Sequence, residues 1–182
     1  MYTWSDDDVE QLAEIGLALG VDPRDLVRIM CNESGCLPYA HSPGGAVGLI
    51  QFEPSTLLDE GWLHGTDAFA KLSVRQQLPY VQRYYAARKA AIDAAGGGVG
   101  ALYVATFLPA LLAHAADSTF VLCGRQGPFA WAYAANKSFD RDGRGYVTVG
   151  DMVAAADRAF AASETGLAIV ARLDALFPQL GA

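Results

Sequence analysis

The stretch Leu26-Val27-Arg28-Ile29-Met30-Cys31-Asn32-Glu33-Ser34-Gly35 decides how the chain is read. Leu26, Ile29, Met30 and Glu33 recur at i, i+3, i+4 and i+7, which is one face of a helix. Asp22 serves as its cap and Pro23 as its first residue, while Gly35 and Pro38 stop it. Glu33 therefore continues an apolar stripe. It also stands at the helix C-terminus, where the macrodipole opposes negative charge. Both effects favour the protonated carboxyl and raise its pKa. A carboxylic acid kept neutral near physiological pH is what protonation of a leaving oxygen requires. Read alone, the residue is as simply explained as a partly exposed helix-end glutamate.

Working outward, Ser5 caps a helix with Asp6, Asp7 and Asp8 in its first turn. Val9, Leu12, Ile15 and Leu19 form its apolar face and Gly20 ends it. Residues 36–46 are loop-like, and residues 47–52 are a short apolar run, extended or hairpin. Pro54-Ser55-Thr56 opens another helix. Ser73 with Gln76 makes a capping box for a long helix to about residue 95, which Pro79 kinks or delays. Gly96 to Gly98 is too short for a domain linker. Residues 99–116, broken by Pro109 and His114, read as buried helix and not as a membrane span. A brief strand at 118–123, a helix at 129–136 and a Gly- and Asp-rich loop at 140–151 follow. Helices at 148–160 and 164–177 complete the chain. The sum is a mainly α, single domain over residues 1–182 with a minor β element.

The 182 residues, 52% hydrophobic and 18% charged, suit one globular domain with a real core. A net charge of −7 and a pI of about 4.8, with no Lys/Arg stripe, argue against nucleic-acid binding through phosphates. The same charge does not steer the chain toward anionic envelope polymers, so action on a cell wall needs a local groove. The opening Met-Tyr-Thr-Trp-Ser-Asp-Asp-Asp lacks the basic start and apolar run of a secretory signal. Three cysteines are an odd count for a disulfide framework. Cys31 and Cys36 lie close enough in sequence to pair, or are small buried hydrophobes. His41, His64 and His114 show no metal spacing, and Gly96 to Gly98 lacks the Lys-Ser/Thr of a phosphate loop.

The run Glu33-Ser34-Gly35, then Ser42-Pro43-Gly44-Gly45-Ala46-Val47-Gly48-Leu49-Ile50-Gln51, then Pro54-Ser55-Thr56, resembles the soluble lytic transglycosylase family, which is lysozyme-like. The family signature is Glu-Ser-Gly, a Ser-x-x-Gly-Ala-x-Gly-Leu-x-Gln segment and a following Pro-x-Thr. All three parts stand here in order. The resemblance implies a helical, α+β lysozyme-like domain with a small β-hairpin beside the catalytic glutamate. It implies that Glu33 is general acid and then base, and that Ser42, Gly48 and Gln51 bind substrate. Ala132-Tyr133-Ala134-Ala135-Asn136 is similar to the family's late Ala-Tyr-Asn-Ala-Gly element, whose Tyr faces the glutamate, although the Asn is displaced here. Leu102-Tyr103-Val104-Ala105 is similar to a segment of phage- and prophage-encoded members. Tyr103 either faces the cleft or belongs to the core.

Asp140 to Asp151 resembles a calcium loop of EF-hand type, with Asp140, Asp142, the Tyr146 carbonyl and Asp151 as ligands. Arg144 stands where a ligand is expected and would repel the ion; Asp151 is shorter than the usual Glu. The alternative is a retained loop shape in which Arg144 replaces the ion by pairing with Asp140 or Asp142. No cofactor is required by the chemistry that the resemblance implies.

That chemistry is cleavage of peptidoglycan glycan strands. A lytic transglycosylase needs one carboxyl group, because the sugar's own C6 hydroxyl attacks and leaves a 1,6-anhydro end. A muramidase commonly needs a second carboxylate, for which Glu53, Asp59, Glu60 and Asp67 are candidates. The transglycosylase is the preferred expectation. A non-catalytic glycan-binding virion component is a further reading. Delivery to the wall is expected by a phage, a holin or injection machinery, with no insertion in a membrane.

Overall fold

The computed structural model describes residues 2–181. Its elements follow the caps written in the sequence. Helix α1 (Asp6–Leu19) starts with a reciprocal capping box between Ser5 and Asp8 and ends at Gly20. Helix α2 (Pro23–Ser34) has the Asp22 side chain accepting from the Arg24 N–H. Short helices α3 (Pro54–Asp59) and α4 (Thr66–Phe69) follow. Helix α5 (Val74–Ala86) opens with the Ser73/Gln76 capping box and keeps Pro79 inside it.

The helix expected to run on to residue 95 breaks instead, and α6 covers Lys89–Ala94. The break falls at Arg88. Its guanidinium folds back over the Tyr84 ring, 3.8 Å from the centroid, and donates to the Tyr84 carbonyl at 2.7 Å. The Arg88 N–H bonds to the Tyr85 carbonyl at 3.0 Å, a tightened 3-10 step that ends the helix.

Helix α7 (Gly98–Phe107) buries Ala101, Leu102, Tyr103, Val104 and Ala105 in succession, as a helix that is apolar on every side must. A 3-10 turn (Pro109–His114) leads to strand β1 (Val121–Gly124). Helix α8 (Ala130–Asn136), strand β2 (Tyr146–Thr148), helix α9 (Val149–Ala161) and helix α10 (Glu164–Leu176) complete the order. Helix α2 packs against α1, α7, α9 and α10. Buried residues from Trp4 to Leu173 form one hydrophobic cluster around it. The fold is mainly α, with a two-stranded antiparallel sheet in which Val121 faces Thr148 and Gly124 faces Tyr146. The segment next to Glu33 is held by isolated bridges, His41 to Val47 and Val47 to Phe52. Among the described residues, no helix is long and apolar enough to cross a membrane.

Candidate active site

Glu33 lies in the last turn of α2 and its flank is fixed from below. The Ser34 hydroxyl shares its one proton between the Met30 carbonyl (3.0 Å) and the Leu49 carbonyl (2.8 Å), tying the helix end to the loop that follows. Buried Gln77 holds that loop from the other side. Its amide oxygen accepts from the Leu49 N–H (3.1 Å), and its nitrogen donates to the carbonyls of Pro38 (2.7 Å) and Phe69 (3.1 Å). An uncharged amide with donor and acceptor both matched can be buried at little cost.

Gly48 is explained by this clamp. Its φ is +78°, and a β-carbon there would stand 2.6 Å from the Gln77 oxygen and 2.9 Å from the Phe69 ring. Gly48 is buried beside the cleft wall, and its lack of a side chain admits Gln77. Gln51 also has a positive φ, 53°. Its nitrogen donates to the carbonyls of Gly48 (3.0 Å) and Ala40 (3.3 Å), which turns the amide oxygen into the group free for a ligand. The Ser42 hydroxyl accepts from the Ala46 N–H (3.0 Å) and keeps its own proton to donate.

Glu33, Ser42, Gln51 and Glu53 line one side of a cleft of about 760 Å³; Thr106, Phe107, Trp131, Asn136 and Phe139 are also in its walls. Burial pushes the Glu33 carboxyl up to about 7, against hydrogen bonds from Tyr103 and Asn32 that pull it down. Asn32 in turn donates its amide to the Tyr103 hydroxyl. Tyr103 is fully buried, with its ring edge-on to Phe139. It is core by packing, and its one polar atom reaches the glutamate from behind. It is not among the residues lining the cleft, and it bears on Glu33 by lowering the carboxyl's pKa. Of the candidate second carboxylates, Glu53 lines the cleft. Glu60 is drawn to Arg83 at 3.6 Å.

Tyr133 is the clearest departure. Its hydroxyl donates to Asp140 at 2.8 Å and accepts from Arg125 at 3.5 Å, so it serves the 140–151 loop and not the Glu33 cleft. The reason is the need of Asp140. Its buried carboxylate also accepts from the Arg144 N–H (2.8 Å) and the Gly145 N–H (2.7 Å), and the tyrosine supplies the third donor. Trp131 and Asn136 of the same helix reach the cleft instead. Sequence reasoning missed Trp131, Thr106 and Phe139 as cleft residues and Asn32 as a partner of Glu33. Only the adjacency of Asn32 to Glu33 offered a signal.

The loop does not fit a calcium ion. The Arg144 guanidinium pairs with Asp151 at 2.5 Å, lies 4.0 Å from both Asp140 and Asp142, and stacks over the Tyr146 ring. Asp151 is also engaged as the capping partner of Thr148. A cation already lies among the ligand set, and the Asp140 and Asp151 carboxylates are spent on N–H and O–H donors. Among the described residues, no group of three or more His, Cys, Asp or Glu side chains is arranged to hold a metal.

Residues 11–64 match the family model of the Transglycosylase SLT domain. The matched span carries Glu33, Ser42, Gly48, Gln51 and Glu53, and ends before Tyr103, Tyr133 and the 140–151 loop. No curated protein and no solved structure matches the chain.

Proposed function

We propose that Glu33 is the catalytic acid of this protein, on the premise that the chain belongs, through residues 11–64, to the SLT transglycosylase, lysozyme-like family. An SLT domain indicates lytic transglycosylase-type degradation of peptidoglycan. One observation carries the finer reading: a carboxyl group on the wall of a cleft, pushed up to about 7 by burial. Such a group is protonated on much of the protein at neutral pH and can give its proton to the bridging oxygen of a glycosidic bond.

The steps balance on one residue. Glu33 protonates the oxygen between N-acetylmuramic acid and N-acetylglucosamine as the bond to the muramic acid anomeric carbon breaks. The C6 hydroxyl of that sugar bonds to the same carbon and yields its proton to the Glu33 carboxylate. The product ends in 1,6-anhydro-muramic acid and the acid is regenerated. Ser42 and the Gln51 amide oxygen are the polar groups for holding the sugar, and Trp131, 65% exposed, is an aromatic face for it to lie against. The substrate is a strand of bacterial peptidoglycan, and no metal enters the steps.

A second reading, hydrolysis by a muramidase, is favoured by one observation: Glu53 lies in the same cleft and provides a second carboxylate. The test is mass spectrometry of purified peptidoglycan digested by the wild type, with Glu33→Gln alongside. Muropeptides with anhydro-muramic ends, absent with the variant, are expected. Reducing muramic acid ends would instead establish hydrolysis and turn attention to Glu53. No products from several peptidoglycan chemotypes would remove both readings in favour of glycan binding.

A further inference from the structure

The turn that carries Glu33 has a cysteine on each side of it. Helix α2 closes with two residues at positive φ, Gly35 (64°) and Cys36 (62°). The Gly35 N–H donates to the Cys31 carbonyl (3.1 Å) and the Cys36 N–H to the Met30 carbonyl (3.0 Å). This pattern wraps the chain back over the last helical turn. It brings the two sulfurs to 3.2 Å. Positive φ is uncommon for a residue with a β-carbon, so the placement of Cys36 is held by its surroundings. Its carbonyl accepts from the Trp4 indole at 3.1 Å, and its side chain is fully buried.

We propose that Cys31 and Cys36 are a disulfide-forming pair that closes the turn bearing Glu33 when the chain meets an oxidising thiol–disulfide environment. The glycan chemistry uses neither sulfur, and Cys123 sits apart in β1. Cys31 is the more exposed of the two, 7% against 0%. It lies against the start of α10, where a β-carbon at Gly166 would collide with its sulfur. Hydrogen bonds from Cys36 and Ser163 hold the Cys31 thiol below its ordinary pKa in spite of burial, which suits it as the attacking thiolate. The hydrogen bond to Cys31, with burial, pushes Cys36 up, so it is the later of the two to ionise.

The exchange balances with a small-molecule disulfide as oxidant. The Cys31 thiolate attacks one of its sulfurs, forms a mixed disulfide and expels one thiol. Cys36 gives up its proton to solvent and attacks the Cys31 sulfur, expelling the second thiol. Two protein thiols are oxidised and the reagent is reduced to two thiols.

The test refolds the full chain from its reduced, unfolded state in oxidised and reduced glutathione, which gives both sulfurs access to the reagent. Intact mass and a non-reducing peptide map are then read, with thermal unfolding before and after reduction. The proposal expects a product two hydrogens lighter, Cys31 linked to Cys36 and Cys123 free. It also expects a Tm about 5 °C above that of the reduced form. Cys123→Ser should keep that sensitivity to reductant, and the double variant Cys31→Ser/Cys36→Ser should lose it. A chain that stays a dithiol, a lasting glutathione adduct, or a link to Cys123 would each overturn the proposal. None of these readouts depends on whether Glu33 cleaves glycan.

Discussion

The loop after Glu33 and the loop from Asp140 to Asp151 use the same materials to opposite ends. Each has glycines at positive φ, backbone turns and acidic side chains at the turning points. In the first, among the described residues no cation shifts the carboxyl group, burial dominates, and Glu33 rises to about 7. In the second, burial also works to raise the carboxylates. The Gly145 N–H, the Tyr133 hydroxyl and Arg144 outweigh it at Asp140, and Thr148 and Arg144 outweigh it at Asp151, so both fall below the ordinary range. A carboxyl group inside a turn is thus made an acid or a structural anion by the donors around it, and motif spacing alone does not say which.

The comparison breaks most visibly at Glu33. Glu33→Gln keeps the shape but cannot donate a proton, and cleavage is expected to fall by about 10³-fold or more. The same substitution sharpens the linkage. Folded Glu33, at about 7 against an ordinary 4.5, binds its proton more tightly than the unfolded chain does. The wild type therefore loses stability as pH rises from 4.5 through 7. The variant escapes that loss and should be more stable by about 1–3 kcal/mol above neutral pH, read from denaturant unfolding at several pH values.

Next in size is Gly48→Ala, which strains a positive φ and drives a methyl group into buried Gln77. A destabilisation of about 2–4 kcal/mol is expected, seen as a fall in Tm; an unchanged Tm would undo the account of the clamp. Tyr103→Phe keeps the packed ring and removes one hydroxyl. Because that hydroxyl pulls Glu33 down, the alkaline limb of the pH–rate profile should move upward with the variant. The smallest effect belongs to the second loop. Millimolar calcium should leave the Tm and the calorimetric heat unchanged in the wild type. Arg144→Ser, which replaces the cation with an oxygen, should gain weak binding, with Kd on the order of 10⁻⁴–10⁻³ M.

Much of this was legible in the sequence because it is local. The caps at Ser5, Asp22 and Ser73 announced three helices, and the apolar stripe ending in Glu33 announced a perturbed carboxyl. Arg144 was visible as a cation in a calcium-like loop. What was not legible depends on contacts distant in sequence or on a side chain's choice between partners. The long helix breaks at Arg88, whose side chain folds back on Tyr84. Tyr133 answers Asp140 and not Glu33, although its sequence context resembles an element that faces the acid. Tyr103 is core and yet has its hydroxyl beside Asn32 at the end of α2, a combination that helical periodicity cannot show when every side of α7 is apolar. The pairing of β1 with β2 spans more than twenty residues and left no turn signal.

The central claim is that Glu33 is held neutral near physiological pH by burial in a cleft. It is most directly tested by titrating that carboxyl group, following the carbonyl signal present in the wild type and missing in Glu33→Gln by difference infrared spectroscopy. The account predicts a midpoint of about 7. A midpoint at the ordinary 4.5 would contradict it and leave Glu33 a helix-end charge.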